Sequence, residues 1–283
     1  MLRLDFIRLF NSFIYDYPFT MLFLFLISYH YYEKLSSKKR NDETMPRFFT
    51  NSVSGDFITV TGDDARHIGR SLRMKIGDDI TFCCCGTDYN CKIVSITDSD
   101  VICRIDNSIP SKSEPTVFLT LYQAVPKQDK LELIVQKTAE LGVSRIVPFL
   151  SKRCVSRPDK RDFEKKRDRL QKISLEAAKQ AGRGIIPEVG PLMNFEEAVA
   201  DMQKSDIKII CYENEGTKLS ETGIDLQKSV AVMIGSEGGF EYGEVEKAVA
   251  GGASAVWLGE RILRCETCPI AVTAVVMSLS GNM

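Results

Sequence analysis

The chain has 283 residues, of which 44% are hydrophobic and 27% charged, a globular balance that excludes a fibrous or fully disordered chain and leaves room for two domains. A net charge of −1 gives no bulk attraction to a polyanion, so any nucleic-acid contact has to be local. Nine cysteines, an odd number with Cys83, Cys84 and Cys85 consecutive, exclude a disulfide framework and fit a reduced, cytoplasmic protein. Cys265 and Cys268 form a lone Cys-x-x-Cys with no second pair at suitable spacing, and the only histidines are His30 and His67, so no metal site is expected.

Residues 1–44 stand apart as an extension. The aromatic and aliphatic run at 19–32 is broken by Thr20, Ser28 and His30 and is shorter than the roughly 20 apolar residues that span a bilayer. No small-residue cleavage site follows it. Three explanations stay open: an upstream start, which Met45-Pro46-Arg47-Phe48-Phe49 favours by reading as a fresh beginning, a membrane-proximal anchor, or an amphipathic partner helix. Membrane contact is not expected. From Met45 the pattern is short β-rich runs at 56–60, 79–85, 90–96 and 101–105, separated by Gly, Asp and Asn turns, which together suggest a small barrel over 45–112. Residues 63–74 carry helical spacing, with Ala65, Ile68 and Leu72 on one stripe. The stretch 110–115, bounded by Pro110 and Pro115, reads as a linker.

Over 115–283 strands alternate with helices. Strands are predicted at 117–123, 145–149, 207–212, 230–234 and 255–258. Helices are predicted at 129–141, 160–181, 195–203, 244–250 and 266–279. The first of these ends at Gly142 and has Leu133, Val135, Gln136, Ala139 and Glu140 near its core edge. This alternation implies a mostly parallel sheet covered on both faces, with ligands at the carboxyl ends of its strands. The second helix lies in a basic block: residues 151–183 hold twelve basic against five acidic side chains, whereas 184–283 hold seven against fifteen. The block is either a solvated helix face or a polyanion contact confined to one side. Arg161, Lys165, Arg169 and Lys172 fall in one row along it at spacings of three and four.

Two loops sit at strand ends. Gly235-Ser236-Glu237-Gly238-Gly239-Phe240 is neither a dinucleotide fingerprint nor a phosphate-binding P-loop. It is either a tight turn or a place where a ligand approaches the backbone. Leu258-Gly259-Glu260-Arg261-Ile262-Leu263-Arg264-Cys265-Glu266-Thr267 opens an apolar helix. Glu266 and Thr267 suit a helix N-terminus, but Arg261 and Arg264 do not, because that end repels cations. The arginines need carboxylate, phosphate or nucleobase partners, or an internal Arg–Glu network.

Those two loops, in that order, resemble the bacterial 16S ribosomal RNA uridine-N3 methyltransferases of the SPOUT superfamily. Gln123-Ala-Val-Pro-Lys127, Gln136-Lys-Thr-Ala-Glu-Leu-Gly-Val143, Glu176-Ala-Ala-Lys-Gln-Ala-Gly-Arg183 and Met45-Pro-Arg-Phe-Phe49 are similar to the family's other motifs and fall in its order. The resemblance covers residues 45–283 and gives the extension no counterpart. It implies a PUA-like RNA-binding barrel followed by an α/β SPOUT domain with a trefoil knot. It further implies a homodimer, S-adenosylmethionine as cofactor and N3-methyluridine in 16S ribosomal RNA as product. A SPOUT enzyme with another RNA target and a non-catalytic RNA-binding assembly factor are the alternatives. Ser236 departs from the family's proline, Cys265 and Cys268 from its small apolar residues, and Glu241 from its Ser or Thr cap, which weakens the start of that helix.

The resemblance implies specific roles for residues of both loops. Uracil N3 becomes nucleophilic only on losing its proton, and the developing anion spreads onto two carbonyl oxygens that a guanidinium can stabilise. Arg264 is the expected catalytic residue, with Glu266 orienting it or helping to move the proton. The residues single out no general base. Cofactor contacts are expected from Gly235, Glu237, Gly238, Gly239, Leu258, Gly259, Ile262, Leu263 and Thr267. RNA contacts are expected from Arg47, Lys127, Arg161, Lys165, Arg169 and Arg183.

Overall fold

The computed structural model describes residues 45–214, 216–225 and 228–283. The expectations for residues 1–44 lie outside the described residues. Two sheets organise the rest. The first has five strands: β1 (Arg47–Phe49), β2 (Phe57–Thr61), β3 (Asp79–Cys84), β4 (Thr87–Ile96) and β5 (Asp100–Pro110), in the order β1-β3-β4-β5-β2. The long β4–β5 pair is antiparallel with register shifts at Asn90/Cys91 and Ile93/Ser95. Such bulges bend a strand and increase its twist. The sheet curls around Phe48, Ile58, Ile80, Phe82, Ile93 and Val101. β1, whose short run carried no strand signal, pairs in parallel with β3.

The stripe at 63–74 forms differently from a single helix. Helix α1 (Gly62–Arg66) runs into a wider turn ending at Ser71, so Ala65 and Ile68 are buried but Leu72 is 42% exposed. Arg73, at φ 54°, takes the left-handed position that stops a helix, and the Met74 N–H reaches back to the Ile68 carbonyl (3.2 Å).

The second sheet is parallel in every pair. Its strands β6 (Phe118–Ala124), β7 (Arg145–Leu150), β8 (Glu188–Val189), β10 (Ile207–Cys211), β11 (Ser229–Ile234) and β12 (Ser254–Val256) lie in the order β12-β10-β11-β6-β7-β8, and β9 (Met193–Asn194) pairs with β7. Helices α2 (Lys130–Leu141), α3 (Lys160–Gln180), α4 (Phe195–Met202), α5 (Tyr242–Ala250) and α6 (Thr267–Leu279) connect the strands. One core cluster packs Leu119, Leu121, Ile134, Leu170, Val232 and Val272; another, on the other side, packs Tyr122, Phe149, Phe195, Met233 and Phe240. A parallel sheet buried on both faces explains why its strands read as continuous apolar runs. The apolar stripe of α2 is Leu131, Ile134, Val135, Thr138 and Ala139; Leu133 is 42% exposed, one position off the predicted edge.

Residues 110–115 are not a free linker. The Glu114 carboxylate accepts hydrogen bonds from Arg183 Nη2 (2.8 Å), Gly184 N (2.8 Å) and Ile185 N (3.1 Å), and the Gly86 N–H donates to the Gly184 carbonyl (3.1 Å). The curled sheet is thereby fastened to the end of α3. On the far side of the second sheet, β12 is clasped between β10 and the segment that follows β10. The Thr217 N–H donates to the Ala255 carbonyl (3.0 Å), and the Trp257 N–H to the Thr217 carbonyl (3.1 Å). Among the described residues no helix is long and apolar enough to cross a membrane.

Candidate functional site

The carboxyl ends of β10, β11 and β12 open onto one cavity of about 870 Å³, a volume ordinary for a small-molecule site. The glycine loop after β11 forms one wall, with Gly235, Ser236, Glu237, Gly238, Gly239 and Phe240. The loop after β12 forms another, with Trp257, Leu258, Gly259, Glu260, Arg261, Ile262, Leu263 and Arg264. Cys211 at the end of β10, residues 212–214 beyond it, Ile234, Lys130 at the start of α2, and Cys265 and Cys268 complete it. Three strand ends converge because the order β12-β10-β11 makes them neighbours.

The glycine loop is a tight turn and a cavity wall at once. The Gly239 N–H donates to the Ser236 carbonyl (2.9 Å), and Gly239 sits at φ 65°. A Cβ on Gly239 would lie 2.8 Å from Glu213 Oε1, and one on Gly235 would lie 3.0 Å from the Gly239 backbone. Behind the loop, Gln123, fully buried, donates through Nε2 to the Gly235 carbonyl (3.2 Å). Arg153 Nη1 donates to the Gly238 carbonyl (3.1 Å). Ser236 adds a bond of its own from Oγ to the Arg153 carbonyl (3.3 Å). The helix start at Glu241 is not left uncapped: Glu244, 2% exposed, accepts from the Glu241 N–H (3.0 Å) and the Lys152 N–H (2.8 Å).

The charges sort into paired and unpaired groups. Arg261 and Arg264 are exposed on the cavity wall and make no ion pair among the described residues, so the internal Arg–Glu network does not form. Lys130 Nζ lies 3.1 Å from Glu237 Oε1 and 3.1 Å from Glu266 Oε2. Those two bonds, Glu266 first, raise the ammonium above its ordinary value. Burial acts to raise the Glu237 carboxyl, but bonds from the backbone, Lys130 and Lys127 N–H outweigh it and hold the group below the usual range. Glu266 follows the same pattern: burial opposes, and the Cys265 thiol, the backbone and Lys130 win. The Cys265 thiol donates to Glu266 Oε2 (3.2 Å); burial, then that bond, push it up to about 12, so it stays protonated.

Several expected site residues move. Glu266 does not orient Arg264; it lies behind Lys130, off the cavity lining, because the ammonium is its nearer partner. Thr267, the first residue of α6, is also off the lining. Arg183 is 3% exposed and occupied by Glu114 and the carbonyls of Ala139 and Val143, so it is not an RNA-facing group. Arg47 is tied down by Asp88 (2.7 and 2.9 Å) and Ser111 (2.9 Å). Arg169 pairs with Glu132 of α2 (2.9 Å), whereas Arg161, Lys165 and Lys172 are exposed without an ion pair among the described residues. Lys127 keeps an exposed side chain while its backbone N–H donates to Glu237 (3.1 Å). Sequence reasoning missed Lys130, Tyr212, Glu213, Asn214 and Trp257. The rule that ligands sit at strand ends would have found residues 212–214, and Lys130 stands at a helix N-terminus just as Arg261 and Arg264 do. Among the described residues no group of three or more His, Cys, Asp or Glu could hold a metal ion.

Comparison with known proteins places this geometry. An RNA methyltransferase domain model matches residues 112–277, and an RNA methyltransferase PUA domain model matches residues 60–106. The ribosomal RNA small subunit methyltransferase E of Bacillus subtilis is 33% identical, over 75% of this chain and 86% of its own length. The protein of that name from Mesomycoplasma hyopneumoniae is 30% identical, over 80% of this chain and 96% of its own. A crystal structure of a ribosomal RNA small subunit methyltransferase E from Neisseria gonorrhoeae, bound to S-adenosyl methionine, superposes with a TM-score of 0.75 at 29% identity, covering 83% of this chain and 98% of that one. The chain belongs to the RNA methyltransferase family that carries a PUA domain ahead of its α/β catalytic domain.

Proposed function

We propose that this protein methylates uracil at N3 in the 16S ribosomal RNA of the small subunit, with S-adenosylmethionine as donor. The observation that carries the reading is the cavity itself: a glycine wall shaped by Gly235 and Gly239, faced by two arginines that pair with no carboxylate among the described residues. The donor fits what is present. Trp257, Leu258 and Leu263 offer an apolar surface for adenine, and Glu213, against Gly239, offers a carboxylate to ribose hydroxyls or an ammonium. Backbone groups of Gly235, Gly239, Leu258, Ile262 and Leu263 would hold the molecule. Bound there, it supplies an electrophilic methyl group on a sulfonium.

The chain's own residues then align and stabilise. Arg264 faces the cavity with its five donors unspent, so it can share the charge that spreads over the uracil carbonyl oxygens once N3 loses its proton. The exposed row of Arg161, Lys165 and Lys172 faces away from the buried side of α3 and supplies cations for phosphate, with Lys127 near the cavity. Arg169 takes part only by giving up Glu132. The active unit is a homodimer in the cytoplasm, with the PUA-like sheet of residues 45–112 adding RNA contact and the knot of the 115–283 domain closing where β12 is clasped.

Nucleoside mass spectrometry of 16S ribosomal RNA, from cells lacking this protein and cells complemented with it, tests the reading. Loss of 3-methyluridine and its return on complementation are expected. Intact 3-methyluridine with a missing nucleoside elsewhere would redirect the enzyme to another RNA. An unchanged nucleoside profile would leave an assembly factor.

A further inference from the structure

We propose that Lys130 is a positioning residue that ties the glycine loop to the arginine loop and so fixes the shape of the cavity between them. The proposal deepens the functional reading above and rests on it. Lys130 opens α2, where the helix dipole disfavours a cation, so its placement calls for anions nearby. It has two, one from each loop: Glu237 and Glu266, both 3.1 Å from Nζ. The side chains of Lys130, Glu237 and Glu266 are 28%, 27% and 17% exposed, so water screens the three charges only in part.

Each carboxylate is fixed a second time. Lys127 N–H donates to both oxygens of Glu237 (3.1 and 3.3 Å), and the Cys265 thiol donates to Glu266 (3.2 Å). Gln128, at φ 56°, turns the chain between Lys127 and Lys130, so that the backbone of one and the side chain of the other reach the same carboxylate. Without the ammonium two carboxylates would share the gap unneutralised, and each loop would lose its tie to the other. Glu266 is two residues from Arg264, so loosening it would misplace the guanidinium that faces the cavity. Lys130 itself performs no proton transfer, since its ammonium is committed to two carboxylates.

The test compares wild type with Lys130→Met and Lys130→Arg by amide hydrogen exchange, S-adenosylmethionine titration and turnover on 30S subunits lacking the modification. In Lys130→Met, exchange should quicken in both 235–240 and 259–266, and kcat should fall roughly 10²-fold with the KM for subunits little changed. Lys130→Arg, which keeps the charge and can still bond two carboxylates, should recover exchange protection and most of the turnover. Unchanged exchange in both loops, or a change confined to one, would overturn the tie. If wild type does not bind S-adenosylmethionine, the functional reading fails, and the exchange comparison still decides the tie. If Lys130→Met does not fold, Glu266→Gln carries the same comparison, with exchange expected to quicken in the same two segments and an unchanged pattern counting against the tie.

Discussion

Replacing Arg183 with methionine tests whether this arginine holds the protein together or faces RNA. Its guanidinium is 3% exposed and donates to Glu114 from Nε (3.3 Å) and Nη2 (2.8 Å), and from Nη1 to the carbonyls of Ala139 (3.2 Å) and Val143. Those carbonyls lie at the C-terminal end of α2, where a cation is favoured. Methionine fills similar volume but leaves the Glu114 carboxylate, 14% exposed, without its counter-charge. Removing one partner of a buried pair costs about 3–5 kcal/mol. For a domain of this size each kcal/mol moves the unfolding midpoint by about 2–4 °C, so a fall of roughly 6–20 °C is expected. Adding Glu114→Leu should not restore it, because the buried Gly184 N–H then loses its acceptor, a loss of about 1–3 kcal/mol. Thermal denaturation followed by circular dichroism, beside RNA binding at constant salt, gives the measurement. A midpoint within about 2 °C of wild type, together with weakened RNA binding, would refute the structural role and return Arg183 to the RNA face.

Arg264→Ala should cut kcat by about 10²–10³ while calorimetry finds S-adenosylmethionine affinity unchanged; affinity that collapses in parallel would move the residue to the cofactor site. Gln128→Gly should raise the unfolding midpoint by about 1–3 °C, because a left-handed non-glycine costs about 1–2 kcal/mol and glycine returns only part of that gain as entropy; a lower midpoint would mean the glutamine side chain holds the turn. Replacing Arg161, Lys165 and Arg169 with Gln should flatten the salt dependence of RNA binding by roughly 0.7–0.9 log units of slope for each phosphate left unneutralised. Arg169 is the least productive of the three because Glu132 already holds it, so exchanging it for Lys172→Gln should flatten the slope further. An unchanged slope in both triple variants would make the row a solvated helix face.

How much was legible follows from the range of the forces involved. The parallel sheet was readable because burial on both faces writes continuous apolar runs, and the glycine and arginine loops were readable as motifs against that rhythm. The α2 stripe was misjudged at Leu133 because i, i+3 and i, i+4 patterns overlap when a helix is apolar at adjacent positions. The stretch 110–115 looked like a linker because prolines flank it; the acceptor that fastens it, Glu114, finds its donors some seventy residues away at Arg183, Gly184 and Ile185. The stripe at 63–74 misled because a non-glycine residue, Arg73, takes the left-handed stop that sequence rules look for at Gly or Asn.

Which cation is neutralised depends on contacts between distant segments. A cation at a helix N-terminus needs an anion, and that principle correctly marked Arg261 and Arg264 as unusual. Applied evenly it marks Lys130 too, at the first turn of α2. The sequence cannot say which of the three cations the nearby glutamates neutralise, since that depends on β6, β11 and β12 bringing their ends together. Among the described residues the fold gives Glu237 and Glu266 to Lys130 and no carboxylate to the arginines. A paired cation between two loops is suited to hold a shape, and its charge is spent. An unpaired one on a cavity wall keeps its donors for an incoming anion. On that division of charge we propose Lys130 as a residue that forms the site and Arg264 as one that acts on what enters it.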